Sequence, residues 1–405
     1  MMCIMSLNKG KITRDMIVTQ NTRRETMKKT ILSLGLTLCL CLTQVSYASS
    51  SVPNVKGKGA VLIEQESGRV LYEKNAHEPL AMASTTKIMT CILALEEGKQ
   101  DDIVTTSKKA SSAPPVKLHL KVGEKQRLGD LLYALMLQSD NDVAVAIAEH
   151  IGGSVEQFCE MMTQKAKAIG AENTSFKTPN GLDAEGHYAT AYDMALIGAY
   201  ALKNPEFVKI VTTELISIPT IPTEESRRHD LQNKNRFIYS YEGSNGIKTG
   251  FTNKAGHCFV GGAVKNNMQL VAASLGAGWG NAGKTQKYTD IINMMNYGYK
   301  NYEKVVLVEP QKEIATVPIE KSLSSEVKVS CNDKVIMPLN QKEKEMIYIK
   351  KVLPEKWVAP IQEGEIVGEL QVICDGVVLA KVPLTAEESI SKANWLDYIK
   401  QWLKK

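Results

Sequence analysis

Four serines in this chain are followed three positions later by a lysine: Ser6 by Lys9, Ser84 by Lys87, Ser325 by Lys328 and Ser389 by Lys392. A serine hydroxyl attacks a carbonyl only when a base takes its proton. A lysine can be that base when burial or a neighbouring cation lowers its pKa. Residues three apart share a face on a helix but point to opposite faces on a strand. Only Ser84 opens an apolar helical run, with Ile88, Cys91, Ile92 and Leu95 at helical spacing. Ser6 falls in an N-terminal leader, Ser325 in β-rich sequence and Ser389 in the C-terminal tail. At a helix start, the Ser84 backbone N–H is also among the donors that helix geometry leaves unpaired.

Two further clusters follow in order. Ser139-Asp140-Asn141 lies in a short break between two apolar helical runs, where helix capping is the plainer alternative. Lys248-Thr249-Gly250 occurs once, just before a pair of predicted strands, where a simple strand lead-in is the plainer alternative. Gly250 would let a substrate backbone approach closely, and Lys248 offers a cation for a substrate carboxylate.

The elements that must position these groups read as follows. Residues 59–73 form a hairpin around Glu66-Ser67-Gly68. Helical runs follow at 84–95, 129–137, 142–151, 155–169 and 191–202. Strands are expected at 257–264 and 268–274, joined by Asn266-Asn267, with a helix at 285–299. A helical block between strands from both ends predicts an α+β fold, an antiparallel sheet with a helical lobe beside it. After residue 303, short β-rich runs at 305–308, 314–319, 327–330, 346–349, 366–373 and 377–382 predict a small all-β domain. The expected domains are a leader at 1–48, a catalytic domain at 49–304, a β-rich domain at 305–385 and a tail helix at 386–405.

Composition narrows the function classes. The chain has 405 residues, 43% hydrophobic, and a formal net charge of +5. It can bury a sizeable core, and its mild charge without a basic stripe speaks against nucleic acid as a partner. Met27-Lys28-Lys29, an apolar run at 31–42 and Ser46-Tyr47-Ala48 have the order of a secretory signal cut after Ala48. A lipoprotein anchor at Cys39 or Cys41 fits less well, because bulky leucine precedes each. Five cysteines follow the leader, Cys91, Cys159, Cys258, Cys331 and Cys374. The odd number predicts mostly free, buried thiols. Scattered histidines, with no CxxC and no HExxH, give no expectation of a metal or other cofactor.

The three clusters together, in this order and on these elements, resemble the active-site serine penicillin-recognising enzymes. Within that superfamily the chain is similar to the low-molecular-weight penicillin-binding proteins, serine-type D-alanyl-D-alanine carboxypeptidases. Asn180-Gly181-Leu182-Asp183, His187-Tyr188-Ala189-Thr190-Ala191 and Gly246 to Thr252 extend the likeness, as do the β-rich domain and tail. The resemblance implies that Ser84 is acylated, that Lys87 is the base and that Ser139 relays a proton to the leaving amine. It implies that Asn141 holds Lys87 or the substrate amide, and that Lys248 and Thr249 bind the terminal carboxylate. The backbone N–H groups of Ser84 and Phe251 would form the oxyanion hole. Asp140 inside the second motif and Phe251 after the third depart from the family pattern in ways that bear on substrate fit. The implied partners are peptidoglycan stem pentapeptides and β-lactam antibiotics.

Two other functions stay open at this point: a β-lactamase, and a non-catalytic homologue that binds wall peptides. A class A β-lactamase would need a deacylating glutamate, and no Glu-x-x-Leu-Asn lies between Ser139 and Lys248. The intact Ser84, Lys87, Ser139, Asn141 and Lys248 weigh against a non-catalytic role. In the tail, Trp395, Leu396, Ile399, Trp402 and Leu403 share one helical face, while Lys392, Asp397, Lys400, Lys404 and Lys405 lie mainly elsewhere. Such a helix either lies in the outer face of the cytoplasmic membrane or docks on the β-rich domain. The expected location is extracytoplasmic.

Overall fold

The computed structural model describes residues 52–221 and 227–403. The leader with Cys3, Cys39, Cys41 and its cleavage site, and Lys404 and Lys405 at the tail, lie outside the described residues. Gly59–Glu64 (β1) pairs with Val70–Lys74 (β2), the hairpin expected from the sequence. Three strands from far along the chain complete the sheet: Ser244–Thr252 (β3), Gly256–Lys265 (β4) and Met268–Leu275 (β5). The order is β2-β1-β5-β4-β3, antiparallel throughout. β4 turns into β5 through Asn266 and Asn267 at φ 50° and 58°, left-handed values that asparagine tolerates and a two-residue hairpin turn requires.

Alternation along β1 divides the interior in two. Val61 and Ile63 join one core, formed with the helices Lys87–Glu97 (α1), Asn141–Gly152 (α2), Val155–Ile169 (α3) and Ala191–Ala201 (α4). Ala60 and Leu62 join the other, with Ile291, Met294 and Met295 of the helix Gly280–Asn301 (α5). Both faces of the sheet are therefore covered. Local signals place the helix ends. Ser154 and Thr190 cap α3 and α4 through their side-chain oxygens, and Gly170 at φ 95° closes α3.

Some features differ from what the sequence predicts. Ser84 sits in a 3-10 turn, Ala83–Thr86, ahead of α1 rather than within its first α-helical turn. Lys248-Thr249-Gly250 lies in the middle of the edge strand β3 rather than leading into a strand pair. Gly246 and Gly250, having no side chains, hide the alternation that would mark that strand. Two short antiparallel strand pairs are not expected from the sequence: Ile103–Thr105 with Lys125–Arg127, and Leu215–Pro219 with Arg228–Gln232. Each of the four strands buries only one residue, Val104, Gln126, Ile218 or Leu231, too few for an alternating pattern to stand out.

From Glu303 the chain is mostly β. Glu303–Val308 pairs with Val335–Leu339. A six-stranded sheet runs in the order Ile347–Val352, Ile366–Cys374, Val377–Ala386, Glu326–Cys331, Gln311–Glu320 and Trp357–Val358. Val317, Val327, Val329, Val372 and Leu384 are at the centre of its separate core. All six β-rich runs form strands. Met346, however, ends a short capped helix, Gln341–Met346, and the strand begins at Ile347. The tail helix is shorter than its sequence segment. Ile390 bridges to Ile361 inside the β core, and the helix spans only Trp395–Trp402 (α6). Tyr398 donates to the Ser322 carbonyl at 3.1 Å, yet Trp395 and Trp402 are 70% and 77% exposed. The five described cysteines are free and buried.

Candidate active site

The turn that carries Ser84 is held from below. Ala83 takes φ 50°, a left-handed value that costs a residue with a Cβ. Thr86 donates its hydroxyl to the Ala83 carbonyl at 2.9 Å. The Lys177 N–H donates to His187 Nδ1 at 3.0 Å, which leaves the proton on Nε2, 3.1 Å from the Thr86 hydroxyl oxygen. Burial pushes the His187 imidazole down to about 4, so it is neutral and this chain of donors keeps one direction. Gly181, at φ 85°, lets the 180–183 loop lie directly on the turn, because a Cβ there would sit 2.0 Å from the Ala83 carbonyl oxygen.

Above the turn, the Lys87 ammonium is fully buried. Nζ lies 3.0 Å from Ser84 Oγ, 2.8 Å from Asn141 Oδ1 and 2.6 Å from the Asn180 carbonyl oxygen. Asn141 is fixed in turn. Its Nδ2 donates to the carbonyls of Pro114 and Pro115 at 3.1 and 2.9 Å, so Oδ1 is left for Lys87. Burial, and then the charge of Lys248, hold Lys87 well below the ordinary lysine range. A lysine so placed can rest neutral and accept a proton.

Ser139 closes the break before α2 at φ 73°, and its side chain lines the cleft. Asp140 turns the other way and is 2% exposed, with Oδ2 lacking any hydrogen-bond partner. Burial, reinforced by Asp142, pushes its carboxyl up to about 7 against the pull of Lys234, Lys87 and Lys248. Lys248 is 3% exposed and donates to the Thr249 carbonyl at 3.0 Å. Burial and the nearby Lys287 push it down to about 7.

Strand β3 passes so close to the catalytic turn that a Cβ on Gly250 would lie 2.6 Å from the Ser84 nitrogen. Phe251 pairs with His257 across β4. The His257 N–H donates to Gly278 and its carbonyl accepts from Ala277, both at 2.8 Å. Residue pairs alternate along an antiparallel ladder. The Phe251–His257 pair is thus a non-hydrogen-bonded one, and the Phe251 N–H points away from β4, toward the open edge beside Ser84. The Phe251 N–H is therefore left without a partner in the sheet, on the strand that passes closest to the Ser84 nitrogen.

Six of the seven residues singled out in the sequence meet around a cleft of about 270 Å³ that Ser84, Ser139, Lys248, Thr249 and Phe251 line directly, with Lys87 buried beneath. The seventh, Asn141, is buried behind Lys87 and does not line it. Lys234, Asn235, Lys284 and Lys287 also line the cleft. Sequence reasoning missed them because they are far apart in the chain and no local pattern marks a lysine as buried. The arrangement offers a hydroxyl beside an amine whose pKa is held low, a second hydroxyl at Ser139, backbone N–H groups at Ser84 and Phe251, and a wall lined by lysines. That set suits acyl transfer from a substrate bearing a carboxylate next to the scissile amide.

Comparison with known proteins agrees with this chemistry. Residues 46–278 match the family Peptidase_S11, described as D-alanyl-D-alanine carboxypeptidase. Residues 302–392 match the penicillin-binding protein 5 C-terminal domain. The chain is 36% identical over 353 residues to the D-alanyl-D-alanine carboxypeptidase DacF of Bacillus subtilis (strain 168), covering 85% of this chain and 89% of that one. It is 29% identical to the D-alanyl-D-alanine carboxypeptidase DacA of Escherichia coli (strain K12), covering 91% and 95%. Its fold is similar to the crystal structure of penicillin binding protein 5 from Haemophilus influenzae, with a TM-score of 0.72 and 26% identity, covering 84% and 98%.

Proposed function

The chain belongs to the D-alanyl-D-alanine carboxypeptidase family of serine hydrolases, and on that premise we propose that it releases the terminal D-alanine of peptidoglycan stem pentapeptides through an acyl-enzyme on Ser84. The observation that carries the assignment is the buried Lys87 ammonium nitrogen 3.0 Å from Ser84 Oγ, with its pKa held low. Neutral Lys87 takes the Ser84 proton as Oγ bonds to the carbonyl carbon of the penultimate D-alanine. The carbonyl oxygen, now an anion, turns to the Ser84 and Phe251 N–H groups. Lys87 then returns that proton through the Ser139 hydroxyl, which gives its own to the leaving nitrogen as it takes the one from Lys87; the C–N bond breaks and D-alanine departs. Water then attacks the ester, giving a proton to Lys87, which passes it to Ser84 Oγ as the ester C–O bond breaks and the shortened peptide is released. Lys248 and Thr249 hold the terminal carboxylate, and Asn141 fixes Lys87.

A penicillin presents a strained amide beside a carboxylate and enters the same cycle, but its fragment stays attached and blocks water. D-alanine release from a pentapeptide, measured beside hydrolysis of a chromogenic β-lactam, tests the reading. Rapid β-lactam turnover without D-alanine release would instead make the protein a β-lactamase. Neither activity in a folded protein would leave the wall-peptide-binding alternative.

We assign the catalytic domain to residues 49–304 and the β-rich domain to the region that follows. The packing of Ile390 supports extending the latter past residue 385. We further propose that the protein is secreted after cleavage at Ala48 and rests on the outer face of the cytoplasmic membrane through α6, whose exposed Trp395, Ile399 and Trp402 support this. No described helix is long and apolar enough to cross a membrane.

A further inference from the structure

We propose that His187 is a positioning residue for acylation: it ties the loop that carries Asn180 to the turn that carries Ser84, and so sets how Ser84 Oγ lines up with Lys87 without itself touching ligand. This rests on Ser84 as the acylated residue and deepens that reading by adding a determinant of rate that lies outside the three motifs.

His187 and Thr86 are buried, and neither lines the cleft. The imidazole is fixed at both ring nitrogens. The Lys177 N–H donates to Nδ1, so Nε2 carries the proton. The Thr86 hydroxyl gives its own proton to the Ala83 carbonyl, so its oxygen is free to accept from Nε2. The two ends thus require the same tautomer independently. The Phe176 ring meets the imidazole edge-on, 6.0 Å between centres, and limits its rotation. Each end of this bridge reaches a group that aligns the nucleophile with the base. On one side, Ala83 directly precedes Ser84 and holds φ 50°, a conformation that persists only where the surroundings enforce it. On the other side, Lys177 leads into the loop whose Asn180 carbonyl accepts from Lys87 Nζ at 2.6 Å. That loop is also anchored elsewhere. The Thr90 hydroxyl donates to the Pro179 carbonyl at 2.6 Å, and Leu80 pairs with Ala189 through the backbone. Losing His187 therefore leaves the loop attached to α1 and removes the tie at the Ser84 end.

A purely structural role makes a different forecast. If His187 only fills space, its loss would lower Tm and the fraction of molecules that react, while those that react would do so at the normal rate. The experiment follows acylation by benzylpenicillin in rapid-quench samples read by intact mass, which separates the Kd of the first complex from the first-order acylation constant. In His187→Phe the acylation constant should fall about 10- to 100-fold, the loss expected when reacting groups are misaligned by a fraction of an ångström to one ångström. Kd should stay within about threefold, because His187 meets no ligand. Thr86→Val should give the same kind of loss. The double variant should lose little more than the worse single one, since the two residues act through one contact. His187→Gln, whose amide can donate to Thr86 in place of Nε2, should recover part of the rate. An unchanged acylation constant, a loss carried by Kd, or losses that multiply in the double variant would overturn the proposal. If His187→Phe does not fold, Thr86→Val keeps the side-chain volume and is read by the same split. An adduct mapped away from Ser84 in the unmodified protein would instead overturn the reading of the nucleophile, whatever the rates.

Discussion

The lysines of the cleft and those of the C-terminal β region are placed by opposite rules. In the β region Lys328, Lys356 and Lys381 meet Glu313, Glu320 and Glu369 at 3.1, 2.8 and 3.0 Å on the surface. Such exposed pairs are screened by water and contribute little. In the cleft, Lys87, Lys248 and Lys287 are buried, and none has a carboxylate at ion-pair distance among the described residues. Burying unpaired charge opposes folding, so the fold must hold these lysines through other contacts, and their pKa values move as a result. Displaced charge thus separates the cleft from the C-terminal β region more sharply than residue type does.

The largest expected effect breaks that comparison at its centre. Lys87→Ala removes the proposed base and should slow acylation at saturating ligand by about 10²- to 10⁴-fold in stopped-flow traces. Lys356→Ala, a lysine lost from the β region, should leave D-alanine release within error. Comparable losses from both would erase the distinction between the regions.

Lys248→Gln should lower kcat/KM and also reshape its pH profile. The Lys248 charge holds the Lys87 pKa down. Without it Lys87 keeps its proton to higher pH, so the acid limb should move upward. The alkaline limb, set by Lys248 losing its proton near 7 in the free enzyme, should disappear. A profile merely scaled down would show that the two lysines are not coupled.

Asp140→Asn should act in the opposite sense and more weakly. The Asp140 carboxylate raises the pKa of both Lys87 and Lys248, so its loss should shift both limbs to lower pH. Stability gives an independent check. The folded-state pKa of about 7 lies above the ordinary carboxyl value, so ionising Asp140 costs stability progressively as pH rises from about 4 to 7. The Tm of Asp140→Asn relative to the unmodified protein should therefore be higher at pH 8 than at pH 4. A difference that is flat with pH would mean that Asp140 has an ordinary pKa.

The smallest effect on catalysis is expected at the far end of the chain. A protein ending at Ala393 retains Ile390 in the β core but lacks α6. It should release D-alanine from a soluble peptide at the unmodified rate. It should fail to float with anionic vesicles at low salt, where the full chain floats. If both stay soluble, the exposed tryptophans do not serve membrane attachment.

Much of this site is legible in the amino-acid sequence, because its signals are local. Ser84 and Lys87 share one helical turn, Ser139 and Asn141 bracket one helix start, and Asn266-Asn267 demands its hairpin. What stays hidden depends on burial and on long-range approach. Nothing around Gly250 says that a strand will pass against the Ser84 nitrogen. Nothing around Lys287 or Asp140 says that a charge will be buried, since lysine and aspartate are ordinarily exposed. The neutral His187 beneath the turn belongs to the same class: its segment carries part of the family likeness, but its hydrogen bonds to Lys177 and Thr86 exist only once distant parts of the chain meet.

The central claim is that Ser84 is the acylated residue and Lys87 its base. The most direct measurement is intact-mass analysis after benzylpenicillin treatment, with peptide mapping, on the unmodified protein and on Ser84→Ala and Lys87→Ala. One penicilloyl group on Ser84 of the unmodified protein, none on Ser84→Ala, and one that forms far more slowly on Lys87→Ala, is the predicted result. An adduct on any other residue, or undiminished labelling of Ser84→Ala, would contradict the account.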